Sequence, residues 1–497
     1  MQRSPFLTPP DGWVGDLIPW QEDGVFWLYY LHDVRTTPKP GTGWNLLRTT
    51  DLVSFEQVGP SLAAGSADDA DFNAYTGSIV VADGTHHLYY TGQNPRRLGD
   101  DGRALQLVMH ATSVDGMRTW QRHPEHTFGA PEGLESGDWR DPFVFRDEEA
   151  GIWRMLVAAR HDSGPERRRG TIAQCVSTDL ENWVAVEPFW DPRRYIAHEC
   201  PEVFEWNGWW YLVFSEFSDA FTTRYRMSRS LHGPWVVPSH DSIDGRAFYA
   251  AKTAEREGRR FFFGWIATRE DERDSGAWQW AGTLSTLEAR QEADGTLAFG
   301  FADETLDLFD HELPMALTSL TGGAELPGTL TAAGKHVVAL SDVEAPASFH
   351  AQFRLQTLDE ITECGVILCA NEDADRGYVV RLEPARGRMV FDRWPRQVTG
   401  GEQWQISGDV PFEVELERPC ELKMGSHVID VVVEGDICVV NLDRSVSLST
   451  RIYDFGRGRI GFFATEGDVV VESFRLAAPA AHSPIEPEHL VLTTVDS

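Results

Sequence analysis

Three acidic residues, Asp16, Asp141 and Glu199, stand in short, largely apolar segments: VGDLIP, WRDPFVF and HECPEVF. A carboxylate among apolar neighbours pays a desolvation cost, and several carboxylates held in one pocket raise one another's pKa. A purely structural strand has no reason to carry that cost, so a paired-carboxylate site is the natural inference. Three acids with one kept protonated suit cleavage of a glycosidic bond. One group protonates the leaving oxygen, and another attacks the anomeric carbon or activates water there.

Residues that suit a sugar surround these acids. Trp13, Trp20, Trp44, Phe72, Trp139 and Tyr249 offer flat apolar faces to sugar C–H groups, and Asn73, Arg140 and His198 offer hydrogen bonds to hydroxyls.

The elements that must position them form a repeat. An aromatic strand entered through a tight turn recurs around Tyr29, Tyr89, Met155, Tyr211 and Phe262, at intervals of 60, 66, 56 and 51 residues. An apolar segment precedes each strand, and a strand, polar turn and aromatic follow four of them. Each unit is thus about four strands that must stack on neighbours, which predicts a five-bladed β-propeller. The first strand of each blade lines the central channel. Aligned on the hairpin turns, its equivalent positions are Asp16, Ser78, Asp141, Glu199 and Tyr249.

The repeat stops near residue 300. In SFHAQFRL the apolar side chains of Phe349, Ala351, Phe353 and Leu355 alternate, and GVILCA, YVVRLE, FEVELE, HVIDVVVEG, DICVVNL and IGFFAT follow at sandwich spacing. The expected organisation is all-β: a propeller over 1–305, a linker over 306–328, a β-sandwich over 329–477 and a loose tail over 478–497. The stretch NEDADRG (371–377) is expected to be a hairpin tip.

At this point the residues resemble glycoside hydrolase family 32, the invertases, inulinases and levanases, over nearly the whole chain. WVGDLIP (13–19) is similar to the nucleophile motif, with Gly15 for the usual Asn and Leu17 for the usual Pro. WRDPFVF (139–145) carries the Arg-Asp-Pro motif and HECPEVF (198–204) the Glu-Cys motif. AYTGS (74–78) resembles the aromatic-x-Gly-Ser segment, and GRAFYAAKT (245–253), which includes Lys252, followed by FFFGW (261–265), resembles the fifth-blade signature. The resemblance implies a propeller followed by a sandwich, with Asp16 as nucleophile, Glu199 as general acid and base, Asp141 binding fructose hydroxyls, and Arg140 as its electrostatic partner. It implies a retaining β-fructofuranosidase. YYLHD (29–33), Asn45-Leu46 and TLEARQ (286–291) depart from the family pattern at positions that shape the sugar subsite in relatives.

Other classes have weaker anchors. With 44 Lys and Arg against 77 Asp and Glu, the formal net charge is −33, which repels nucleic acid. No run approaches the roughly 18 apolar residues of a membrane span, and no signal peptide is visible, so a cytoplasmic protein with reduced thiols is expected, or a secreted one if its signal has been removed. No HExxH, GxSxG or Walker loop is present, and neither cofactor nor metal is implied. An inverting arabinanase-like hydrolase, a fructosyltransferase and a non-catalytic carbohydrate-binding propeller remain as alternatives. The expected partner is a small carbohydrate, with homo-oligomerisation through the sandwich as a possibility.

Overall fold

A computed structural model of the chain describes residues 3–320, 325–357, 361–396, 416–423 and 425–480. The expected strand FEVELE falls mostly outside these residues, as does the tail beyond 480. The first part of the chain forms five antiparallel blades whose first strands are Trp13–Glu22, Asn73–Ala82, Leu134–Asp147, Glu199–Trp206 and Phe248–Arg256. Four of the five turns that lead out of these strands are short and carry positive φ at both central residues: Asp23-Gly24, Asp83-Gly84, Asn207-Gly208 and Glu257-Gly258. Such turns match the strand twist and fix the hairpin register.

Each blade buries its faces on the next. Tyr29, Trp44 and Leu46 of blade 1 pack with Ile79, Leu88 and Tyr90 of blade 2. Leu156 and Ile172 of blade 3 pack with Val203, Leu212 and Phe214 of blade 4. The ring closes where the third strand of blade 5, Trp278–Gln291, meets blade 1: Val14 pairs with Gly282, and Leu7 exchanges two backbone hydrogen bonds with Leu284.

The same irregularity recurs in all five first strands. The register slips by one residue between Val14 and Leu17, Tyr75 and Gly77, Arg140 and Phe143, Glu199 and Glu202, and Tyr249 and Lys252. A bulge inserts one residue, leaves it out of the ladder and re-aims its side chain. Asp141, Cys200 and Ala250 adopt φ of 58°, 49° and 52° there, a region uncommon for residues with a Cβ. Proline follows Asp141 and Cys200, where no ladder donor is needed.

In the C-terminal part, Ser348–Thr357 keeps the expected alternation: Phe349, Ala351, Phe353 and Leu355 are all buried. The last strand, Arg459–Ala478, pairs with Gly328–Glu344 over 459–471, with Glu363–Ala370 over 459–465 and with Ser348–Thr357 over 469–477, so it joins the strands of the C-terminal part into one continuous sheet. The 306–328 stretch differs from the expected linker. His311–Glu312 pairs with the last strand and Leu317–Ser319 with Gly328–Glu344, because Leu317 and Leu326 bury their side chains in the sandwich core. NEDADRG turns between paired strands, with the Asn371 N–H donating to the Arg376 carbonyl.

Between blades 2 and 3 a row of half-buried imidazoles centres on the buried His110. His87 Nδ1 and His110 Nε2 are 3.0 Å apart, His110 Nδ1 and His126 Nδ1 are 2.9 Å apart, and Tyr89 stacks on His110 at 4.6 Å. His110 faces its neighbours through opposite nitrogens, so the rings form a chain, not a cage around one point. Among the described residues no cluster of His, Cys, Asp or Glu is arranged to hold a metal ion. Burial, reinforced by His87, His123 and His126, pushes His110 down to about 3, and burial together with His123 lowers His87 against the opposing pull of Glu181. The folded pKa lies below the unfolded value, so this stability is present above about pH 6.5 and is lost as the pH falls. Thermal melts of His110→Phe should therefore lose less stability than wild type between pH 7 and 5, by about 1–3 kcal/mol. Parallel losses would exclude the imidazole row as a source of acid lability.

Candidate active site

The bulges bring the three acids together at one end of the channel. They do so from different bulge positions, which corrects the one-to-one alignment read from the sequence. Glu199 shares the last paired position with Arg140, Tyr249, Tyr75 and Val14; Asp141 is the first bulged residue, as are Cys200, Ala250 and Gly15; Asp16 is the second. Ser78 lies beyond the bulge. Its hydroxyl donates to the Pro142 carbonyl and accepts the Val144 N–H, both at 2.9 Å, which ties blade 2 to blade 3.

Asp16 accepts two side-chain hydrogen bonds, from Thr76 Oγ1 at 2.8 Å and from Trp265 Nε1 at 3.1 Å. Asp141 accepts the Cys200 N–H at 2.9 Å, and its own N–H donates to Thr91 Oγ1 at 2.8 Å. Glu199 accepts Arg140 Nη2 at 3.1 Å and Tyr249 Oη at 2.7 Å. Arg140 also reaches Asp138 at 2.5 Å, and its Nε lies 3.9 Å from Asp141. One guanidinium therefore joins two of the three carboxylates.

Burial, then repulsion from Asp141 and Glu199, pushes the Asp16 carboxyl up to about 7, against the two donors that favour its anion. Burial pushes Asp141 up to about 6, moderated by Arg140 and opposed again by Glu199. Asp16 and Asp141 are thus both held well above the usual carboxylate range by burial and by the crowding of like charges.

A floor lies beneath the acids. Lys252 Nζ reaches across the channel from blade 5 to the Gly77 carbonyl in blade 2, at 2.8 Å, and sits 5.3 Å from the centre of the Phe143 ring. Gly77 holds the matching register position in blade 2, and a Cβ there would lie 1.8 Å from the Tyr89 carbonyl oxygen. Lys252 is thus a buried cation under the carboxylates, and it offsets part of the burial that raises Asp141 and Glu202.

The remaining predicted residues divide. Tyr249 stacks on Phe221 at 4.1 Å and holds Glu199. Trp13 is half-buried beneath the Arg35 guanidinium, 5.2 Å away. Phe72 is half-buried, and Asn73 fixes the neighbouring loop by accepting the Thr42 N–H and donating to Gln93. Trp44 and Trp139 have no exposed surface, and Trp44 Nε1 donates to the Ala74 and Tyr75 carbonyls. Both rings pack between blades, and Trp20 lies edge-on to His86 toward the opposite end of its strand. His198 is fully buried among Trp190, Tyr195 and Phe214 and is held neutral, pushed down to about 3 chiefly by burial. It presents no surface to a sugar. Sequence reasoning missed Thr76, Thr91, Asp138 and Trp265. Thr76 and Trp265 lie inside AYTGS and FFFGW, so the motif was visible although the hydrogen-bonding atom was not.

A propeller with a carboxylate-lined end, backed by a sandwich, is the architecture of a glycoside hydrolase. Residues 6–294 match the model of the glycosyl hydrolases family 32 N-terminal domain. The sucrose-6-phosphate hydrolase of Zymomonas mobilis is 23% identical over 494 residues, covering 94% of this chain and 90% of its own. The solved sucrose-6-phosphate hydrolase of Lactobacillus gasseri superposes with a TM-score of 0.72 at 17% identity, over 96% of this chain and 93% of that one. The exo-inulinase of Aspergillus awamori superposes with a TM-score of 0.72 at 16% identity, over 96% and 97%. The chain belongs to glycoside hydrolase family 32. No helix among the described residues is long and apolar enough to cross a membrane.

Proposed function

We propose that the protein hydrolyses β-fructofuranosides with retention of configuration, using Asp16 as nucleophile and Glu199 as general acid and base. The carrying observation is the asymmetry of their hydrogen bonds. Both Asp16 oxygens are held by donors from other blades, Thr76 and Trp265, which fixes the orientation of the carboxyl and favours its anion against burial. Glu199, whose side chain retains 23% of its surface, is steered by Tyr249 and Arg140.

In the first step an Asp16 oxygen attacks the anomeric carbon while Glu199 gives its proton to the glycosidic oxygen, and the alcohol leaves. In the second, Glu199 takes a proton from water, the water oxygen attacks the same carbon, and Asp16 departs as carboxylate. Such a double displacement requires the two working carboxyls to approach to about 5–5.5 Å. In this reading Arg140 and Asp141 are positioned for the hydroxyls of the bound furanose. The buried Lys252 charge offsets part of the anionic repulsion. The six free cysteines agree with a reducing, cytoplasmic setting.

The test is a screen of sucrose, sucrose 6-phosphate, kestose, inulin, levan and aryl fructofuranosides, with the first-formed anomer read by NMR. Release of β-fructofuranose supports the reading. Initial release of the α-anomer would replace it with the inverting alternative, and transfer to a second sugar in preference to water would make the protein a fructosyltransferase.

A further inference from the structure

Beside the nucleophile, the chain has exchanged a polar side chain for an aromatic wall. Gly15 precedes Asp16 where the family motif carries Asn. The space a Cβ would take there is already filled: Trp280 Cη2 and Cζ2 would lie 2.5 and 2.8 Å from it. Trp280 comes from the third strand of blade 5, at the seam where that strand pairs with blade 1. Its ring meets Trp265 edge to face, with centroids 6.2 Å apart, and Trp265 is the residue that donates to Asp16.

The indole is also anchored from outside. Its carbonyl accepts Arg35 Nη2 at 2.6 Å, and Lys39 Nζ, paired with Asp33 at 2.8 Å, lies 5.7 Å from the ring centre. Even so, Trp280 keeps 38% of its surface exposed, among the large apolar side chains that remain open. A fixed, half-open indole packed against the residue that precedes Asp16, with no side-chain donor or acceptor contributed by residue 15, suits a flat apolar face and not a row of hydroxyls.

We infer that Trp280 is the leaving-group platform of this enzyme: the apolar face of a pyranose ring, or an aromatic aglycone, stacks on it while the furanose occupies the acid pocket. The assignment rests on the fructoside reading above and adds the chemistry of the group expelled. Room for the indole depends on Gly15, so the two positions act as a pair.

The experiment compares kcat/KM for sucrose, whose leaving group is a pyranose, with that for methyl β-D-fructofuranoside, whose leaving group has no ring. In Trp280→Ala the sucrose-to-methyl ratio should fall at least tenfold, mainly through KM for sucrose, and in Trp280→Phe less than threefold. Gly15→Ala, which must displace the indole, should lower the same ratio and serves if Trp280→Ala folds poorly. Equal losses on both substrates, or an unchanged ratio, would overturn the platform while leaving the reaction intact. A wild-type protein that cleaves neither compound would overturn the fructoside reading and the platform together.

Discussion

Asp16→Asn is expected to lose at least about 10⁴-fold in kcat/KM while melting at a higher temperature than wild type above pH 7. The loss follows from the proposed role of Asp16 as nucleophile, because an amide cannot form the glycosyl ester. The gain follows from linkage. Asp16 titrates near 7 in the fold and near 3.8 in the unfolded chain, so between those values the native state binds more protons. Stability contributed by the protonated group is present at low pH and falls as the pH rises through about 7. Asparagine keeps an oxygen for one donor and carries no charge to desolvate, so on the order of 1–3 kcal/mol should return at pH 8 and little at pH 4. Thermal melts at the two pH values, beside initial rates, separate this from a simple loss of structure. A variant that is inactive yet less stable at pH 8 would mean that the Asp16 charge is not strained in the resting protein.

Arg451→Ala should lower unfolding stability by about 3–5 kcal/mol, the range for breaking a buried, charged hydrogen-bond network. Arg451 belongs to the sandwich but reaches into the propeller. Its side chain is 2% exposed and donates to the Ala267 carbonyl at 2.7 Å, the Ile266 carbonyl at 3.0 Å and Thr283 Oγ1 at 2.7 Å, with Asp436 at 2.5 Å on its own side. Thr283 adjoins the Val14–Gly282 pair that closes the ring. Arg451→Lys should recover only part of the loss, because one ammonium cannot reach four acceptors in that fork geometry. Denaturant unfolding followed by tryptophan fluorescence reads the effect, and a change under about 1 kcal/mol would show that the seam closes without this contact.

The propeller was legible in the sequence because each unit repeats one local grammar. Tight turns such as Asp23-Gly24 and Asn207-Gly208 mark the hairpins, and aromatic strands mark the blades' buried faces. The acids were legible for a related reason: charge inside an apolar strand has few structural uses. What could not be read was the slip in register. Counting from hairpin turns assumes one residue per pleat, and an inserted residue breaks that count at the very place where the site is built. Ser78 was thus aligned with the acids although it lies beyond the bulge, and Asp16, Asp141 and Glu199 were treated as equivalents although they occupy three successive positions. Trp44, Trp139 and His198 misled for another reason. Composition does not tell an aromatic that faces the channel from one pressed between blades, and both occur a few residues from the acids. The 306–328 stretch was read as a linker from its Gly, Pro, Thr and Leu content, and composition does not show that Leu317 and Leu326 are the leucines that reach the sandwich core.

The recurring bulge has a consequence for how such a ring acquires new chemistry. One backbone deformation, present in every sector, seats an acid in the first and third and follows directly on Glu199 in the fourth, but the fifth sector seats only Ala250 and Ala251 there and the second only Thr76. Those seats are unarmed rather than missing. A new functional group introduced at one of them would arrive already aimed at the axis, so this scaffold can be re-equipped by substitution alone, with no loop to rebuild.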